Sequence, residues 1–280
     1  MRYAQRTEVQ HMLEQIVRHL RILNDSGRSA GTFITLQWYW LRLKQKLSLG
    51  GQDVVRLRPR QAQKPLSVRL GATSDLMVFE QIFIAEEYAC LRDLPEISFV
   101  IDLGANVGFS SAYFLSCFPA SRVVAIEPAE RNIAVCKENL APYGLRSLVL
   151  HGAAWSECTR LCLSEDFFRD SLEWSTQVRR PAEGDIADIE AWDVGTLIDI
   201  AGAEKVDLLK VDIERGEIAV FGPKSREWLP RVRNICIELH GHDCEQIFFS
   251  ALADFDYDSE RSGELTICRN LRLGSELRTP

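Results

Sequence analysis

No run of 18 or more apolar residues occurs in this 280-residue chain, so no segment is long enough to cross a bilayer as a helix. The start, Met1-Arg-Tyr-Ala-Gln-Arg-Thr-Glu8, lacks the apolar core of a secretory signal, and the expectation is a soluble cytoplasmic protein. Eight cysteines (90, 117, 136, 158, 162, 236, 244 and 268) include no C-x-x-C pair, which argues against a zinc site or a disulfide framework. Most fall inside predicted helices or strands and read as small buried hydrophobes. An overall basic excess is missing too. Residues 1–69 carry 13 Lys/Arg against 4 Asp/Glu, a balance of +9, and the remainder carries 20 against 36, giving the net −7. An acidic main body is a poor binder of phosphate backbones, so nucleic acid is not an expected partner. The basic leader leaves an acidic partner or an anionic membrane surface open.

What is present centres on Ser98-Phe-Val-Ile-Asp-Leu-Gly-Ala-Asn-Val-Gly108. Phe99 to Leu103, interrupted only by Asp102, reads as a strand buried on both faces. Small residues follow at Gly104, Ala105 and Gly108, and then Phe109, Ala112, Tyr113 and Leu115 repeat with helical spacing. Strand, glycine turn and helix make the first crossover of a doubly wound α/β domain, whose ligand lies at the strand's carboxyl end. A dinucleotide fingerprint needs glycine where Asn106 stands, which disfavours a nicotinamide-dependent oxidoreductase. Asp102 would repel a diphosphate and suits a cationic group, as S-adenosylmethionine carries. Glu127 ends a second strand, Arg122-Val-Val-Ala-Ile-Glu127, at about the distance where this fold places the acid that grips ribose hydroxyls.

Along the chain, Val9, Met12, Leu13, Ile16, Val17, Leu20 and Leu23 mark a first helix, and Phe33 to Leu47 a second. The second mixes aromatic and basic residues, Trp38-Tyr-Trp-Leu-Arg-Leu-Lys-Gln-Lys46. Packing on the enzyme core or on a second subunit is preferred over an interfacial membrane helix. Residues 1–50 are read as a helical cap or dimerisation segment. Residues 51–97 hold a strand pair (Val55 to Arg58 and Leu66 to Leu70) and an entry helix from Thr73-Ser-Asp75, which brings Glu80 and Tyr88 near the crevice. Residues 98–272 form the cofactor-binding domain, and 273–280 a tail. Within that domain, Leu148 to Leu150 is a third strand, leaving by His151-Gly-Ala153-Ala154, small enough to lie against a flat purine. Residues 164–190, with Phe167, Phe168 and Trp174, read as a long loop or lid. Val206 to Asp212 and Val232 to His240 are further strands, and an antiparallel hairpin lies between Asp256 and Leu271. The fold class is therefore α/β, a Rossmann-like sheet that is mostly parallel with an antiparallel C-terminal hairpin, plus an N-terminal helical cap. Its strand ends collect Asp102, Glu127, Asp212, Glu238 and His240 in one crevice.

These pieces resemble the FkbM family of S-adenosylmethionine-dependent O-methyltransferases. The likeness rests on Thr73-Ser-Asp75 with Phe79 and Tyr88, Asp102-Leu-Gly-Ala-Asn-Val-Gly108, Glu127-Pro128, Asp207-Leu-Leu-Lys-Val-Asp-Ile-Glu214 and Ile237-Glu-Leu-His240. It spans roughly residues 66–270. The resemblance implies methylation of a hydroxyl on a sugar, glycolipid or polyketide. One departure is Arg215-Gly216-Glu217, where the family continues with Gly-Ala-Glu. The expected cofactor contacts are Asp102, Gly104, Asn106, Gly108, Glu127, Pro128, Ala153, Ala154 and Asp212. His240 is the leading general base because an unperturbed imidazole titrates near neutrality. Asp212 and Glu214 orient the hydroxyl; Mg²⁺ held by that acid pair is the alternative and is not favoured, since no third ligand is evident. A non-catalytic cofactor-binding protein is the rival class, and a homodimer is left open.

Overall fold

The computed structural model describes residues 31–47, 53–164 and 177–274. The chain enters through a helix, α1 (Thr32–Lys46), followed by an antiparallel strand pair, β1 (Val54–Leu57) and β2 (Leu66–Arg69). α1 packs on the core through Thr35, Trp38 and Leu41. The Trp38 indole N–H donates to the Leu76 carbonyl at 2.8 Å, so its polar edge is satisfied in the interior. The opposite stripe, Phe33, Leu36, Trp40 and Leu43, is exposed. No helix among the described residues is long and apolar enough to cross a membrane. The entry helix α2 (Asp75–Phe79) continues as a π turn to Ile84 and delivers Phe79, Phe83 and Tyr88 to the core.

Strand and helix then alternate: β3 (Phe99–Leu103), α3 (Phe109–Cys117), β4 (Arg122–Glu127), α4 (Glu130–Leu140) and β5 (Ser147–His151). A small side sheet follows, built from β6 (Ala153–Ala154), β7 (Thr159–Leu163), β8 (Val178–Arg179) and β9 (Ile189–Trp192). The chain returns through α5 (Val194–Ile200), β10 (Leu208–Val211), α6 (Glu217–Val220), β11 (Ile235–Glu238) and α7 (His242–Ala251). It closes with the hairpin β12 (Phe255–Ser262) and β13 (Leu265–Leu273).

The main sheet has the order β12-β13-β11-β10-β3-β4-β5, with β11 to β5 parallel and β13 antiparallel to β11. This is the α/β, Rossmann-like architecture read from the sequence. Alternation along the strands divides the core. Val100, Val123 and Leu208 face the layer that holds α3 and α4, while Ile101, Leu103, Leu209 and Val211 face α5 and α7. From β3 the chain winds outward to β4 and β5, and later returns to β10 on the other side. The winding reverses between β3 and β10, and a crevice at that reversal is where such sheets take their ligands.

Two readings need correction. The stretch 164–190 is not wholly a loop, because Val178–Arg179 and the start of β9 lie in it. Strands of two to four residues are too short for a period-2 pattern to register. The last parallel strands are also shorter than read, so Asp212 and His240 lie just beyond them. The helix over 9–23, the Gly50-Gly51 pair, Phe167, Phe168, Trp174 and residues 275–280 lie outside the described residues.

Gly104 shows why the turn after β3 needs its glycine. Its φ is +77°, and a Cβ there would stand 1.8 Å from the Asp212 carbonyl oxygen. Gly104→Ala is expected to cost about 2–6 kcal/mol from strain and overlap together. Denaturant unfolding reads this directly, and an unchanged midpoint would remove the close approach as a constraint.

Candidate active site

A cavity of about 250 Å³ opens at the carboxyl ends of β3, β4, β10 and β11. One half is built by the β3–α3 turn, the end of β4 and the β5–β6 corner. Gly104, Ala105 and Asn106 line it from the turn, Glu127 and Pro128 from β4, and Gly152, Ala153 and Ala154 from the corner. Glu127 is aimed by the backbone: Asn106 N–H donates to its Oε2 at 3.0 Å and Ala129 N–H to its Oε1 at 2.9 Å. Burial pushes its pKa up to about 7 against those hydrogen bonds. Asn106 adopts a left-handed φ of 49°, and its buried Oδ1 has no hydrogen-bond partner among the described residues. Gly152 has no room for a side chain, since a Cβ would lie 2.4 Å from the Glu190 carbonyl oxygen.

Asp102 and Gly108, expected as cofactor contacts, do not line the cavity. Asp102 is fully buried and does hold a cation, but the cation is Lys210, with Nζ 3.1 Å from Oδ1. Its Oδ2 accepts from the Ser110 and Ser111 hydroxyls, both at 2.6 Å. Gly108 precedes α3 at φ +81°, where a Cβ would meet Cys136 Sγ at 3.0 Å. It is a packing glycine between α3 and α4.

Lys210 is the residue that the sequence reading passed over. Register pairs it with Asp102 across β10 and β3. Its Nζ also donates to the Gly104 carbonyl at 2.8 Å and the Leu103 carbonyl at 3.3 Å. Burial opposes its charge, but Asp102 and Asp212 outweigh burial and hold its pKa above the usual lysine range. The signal was a lysine set inside the apolar run Leu208-Leu-Lys-Val211.

The second half of the cavity is acidic. Asp212, Glu214 and His240, the residues expected to carry chemistry, line it, and Glu87, Glu238 and Glu264 join them. Tyr88 also reaches the cavity; Glu80 does not. Burial, with the neighbouring carboxylates Asp212 and Glu238, pushes Glu87 up to about 7. Burial pushes Glu214 to about 7 as well, opposed by His240 and reinforced by Asp212 and Glu238. His240 Nδ1 lies 3.0 Å from Glu217 Oε1, and Nε2 lies 3.4 Å from Glu238 Oε1. Burial disfavours the imidazolium, yet these carboxylates prevail and push its pKa up to about 11.

Residues 102–260 match the model of the methyltransferase FkbM domain, more than half of the chain. The chain belongs to the FkbM methyltransferase family. It is an S-adenosylmethionine-dependent methyltransferase. Over 58% of its length it is 28% identical to AMB antimetabolite synthetase AmbE of Pseudomonas aeruginosa, a match that takes in 9% of that protein. It is 26% identical to methyltransferase sdnD of Sordaria araneosa over 58% of this chain and 73% of the relative. Among solved structures, precorrin-6y C5,15-methyltransferase of Geobacter metallireducens aligns with 11% identity and a TM-score of 0.40, covering 68% of this chain and 88% of that one.

The first half of this FkbM cavity fits the cofactor. The orphaned Asn106 Oδ1 can accept from an ammonium, the aimed Glu127 from ribose hydroxyls, and the Gly152–Ala154 corner leaves space for a purine. The family departure at Arg215 is accommodated outside the cavity. Arg215, at φ 72°, turns its guanidinium to the His240 carbonyl at 3.4 Å and to Asp243 at 3.5 Å.

Two outcomes follow from this geometry. Lys210→Met leaves Asp102 buried without its counter-charge and is expected to cost about 3–5 kcal/mol in denaturant unfolding. Adding Asp102→Asn should recover much of that, and a loss below about 1 kcal/mol in the single variant would show that the pair does not anchor the turn. The second outcome concerns pH. Below about 7 the ligand-free chain carries Glu127 protonated, whereas ribose hydroxyls require the carboxylate. Affinity for S-adenosylhomocysteine should therefore rise with pH, by up to about tenfold per unit, and level off above about 7. Calorimetry on Glu127→Ala should show that slope flattened; an unchanged slope would place the proton elsewhere.

Proposed function

We propose that this methyltransferase moves its methyl group to a hydroxyl of a polyhydroxylated acceptor, of the sugar, glycolipid or polyketide kind. The observation that carries the reading is the convergence of Glu87, Asp212, Glu214, Glu238 and Glu264 on the half of the cavity opposite the nucleotide side. Carboxylate oxygens accept hydrogen bonds, so a substrate that meets several of them is one with several donors.

S-adenosylmethionine supplies an electrophilic methyl group on a sulfonium. Asn106 and Glu127 are assigned to hold the amino acid and ribose ends, and Pro128, Ala153 and Ala154 to bound the purine. With the cofactor fixed, the acidic half has to hold the acceptor oxygen in line, a positional task worth about 7–11 kcal/mol. His240 is not suited to the role of base that the sequence reading gave it. Glu217 and Glu238 keep its imidazole cationic at neutral pH, with no lone pair to take a proton. The acceptor proton is assigned to Glu214, whose carboxylate lines the cavity with 17% of its side chain exposed.

The test is transfer of a labelled methyl group to a panel of sugars and polyols, with the methylated atom located by mass spectrometry and NMR. An O-methyl product is expected, with turnover about 10²–10⁴-fold lower in Glu214→Gln and S-adenosylhomocysteine affinity retained. Methylation at nitrogen, or cofactor binding with no turnover on any hydroxyl, would overturn the reading.

A further inference from the structure

We infer that Asp212, Glu238 and His240 form a binding site for one divalent cation of the Mg²⁺ or Mn²⁺ class. One oxygen of each acid and one imidazole nitrogen lie within 4.8 Å of one another at the cavity wall. The three donors come from two chain segments 26 residues apart, Asp212 beyond β10 and Glu238 with His240 at the exit of β11. His240 Nε2 is 3.4 Å from Glu238 Oε1 and 3.7 Å from Asp212 Oδ1, so all three converge on one point.

A second observation, independent of the cavity acids, lies behind the imidazole. Nδ1 is held 3.0 Å from Glu217 Oε1, and Glu217 is itself fully buried. A carboxylate that fixes the far nitrogen is the outer arrangement that orients metal-binding histidines and raises their basicity. Glu217 Oε1 also accepts from Ile213 N–H at 3.3 Å, while its buried Oε2 has no hydrogen-bond partner among the described residues. Asp212, Glu214, Glu217 and Glu238 each bring a carboxylate oxygen within 3.8 Å of an imidazole nitrogen, and Lys210 Nζ lies 3.7 Å from Asp212 Oδ2. Two carboxylates and one imidazole suit Mn²⁺ and Mg²⁺ and not a thiolate-seeking ion.

Sequence alone offered Asp212 with Glu214, and no third ligand. The sheet replaces Glu214 by two donors from the neighbouring strand. All three donors line the cavity, so the remaining coordination positions of an ion held there would face it. On the methyl-transfer reading proposed above, on which this last step rests, those positions take two neighbouring hydroxyls of the acceptor. The substrate class narrows to vicinal diols, with one hydroxyl made more acidic by the ion.

The experiment is an Mn²⁺ titration of the full chain followed by electron paramagnetic resonance. One saturable site per chain is expected, competed by excess Mg²⁺. Asp212→Asn and Glu238→Gln should each weaken it at least about tenfold, and Glu217→Gln by about 10–100-fold through the imidazole. Thermal unfolding and S-adenosylhomocysteine binding of Glu238→Gln report whether the variant is folded. No saturable Mn²⁺ binding by the parent chain, or binding unchanged in both ligand variants, would overturn the site. Failure of the methyl-transfer reading looks different: Mn²⁺ binds as expected, yet no hydroxyl is methylated.

Discussion

The rest of the structure depends on a buried ion pair between adjacent strands. Asp102 and Lys210 occupy paired positions on β3 and β10, where the winding of the sheet reverses. Neither charge is tolerable there alone, since removing an ion from water costs several kcal/mol even after relaxation. Together, and with the Ser110 and Ser111 hydroxyls and the Gly104 carbonyl as further partners, they are satisfied. The pair fixes the glycine turn against β10. Asn106 is carried by that turn, and its N–H in turn aims Glu127. An ion pair of which only Lys210 reaches the cavity wall thereby sets the positions of two groups inside the cavity.

The cavity separates two kinds of chemistry by charge and by shape. One half is lined by small residues and one carboxylate aimed by backbone N–H groups. Its other half concentrates acids at the exits of β10 and β11, where burial and mutual repulsion raise Glu87 and Glu214 well above ordinary carboxylate values. Such crowding is destabilising by itself and collects where function requires it. The acidic balance of the chain beyond residue 69 is thus partly a local feature of the site.

His240 illustrates how surroundings override residue type. Read as a residue, a histidine at a strand exit is a base near neutrality. Read in place, it is ringed by Glu217, Glu238, Asp212 and Glu214 and is held as a cation. Three of those acids are close in sequence to one another, but only parallel pairing of β10 with β11 brings them to the imidazole.

The sequence by itself determined the order of strands and helices through the domain, the glycine turn after β3, and the collection of polar residues at the strand ends. Those features are written in local periods and in residues with special backbone freedom, so neighbours along the chain suffice to read them. It also carried enough motif to resemble the family. Only the tertiary structure decided which polar residue faces the cavity and which is spent on the fold. Asp102 and Glu127 look alike at the ends of adjacent strands, yet one is paired with Lys210 and the other is turned to the cavity. The difference is made by cross-strand register and by layers packed from distant segments. The same cause hid the short strands of the side sheet and the meeting of Asp212, Glu238 and His240, because long-range pairing leaves no period in the sequence.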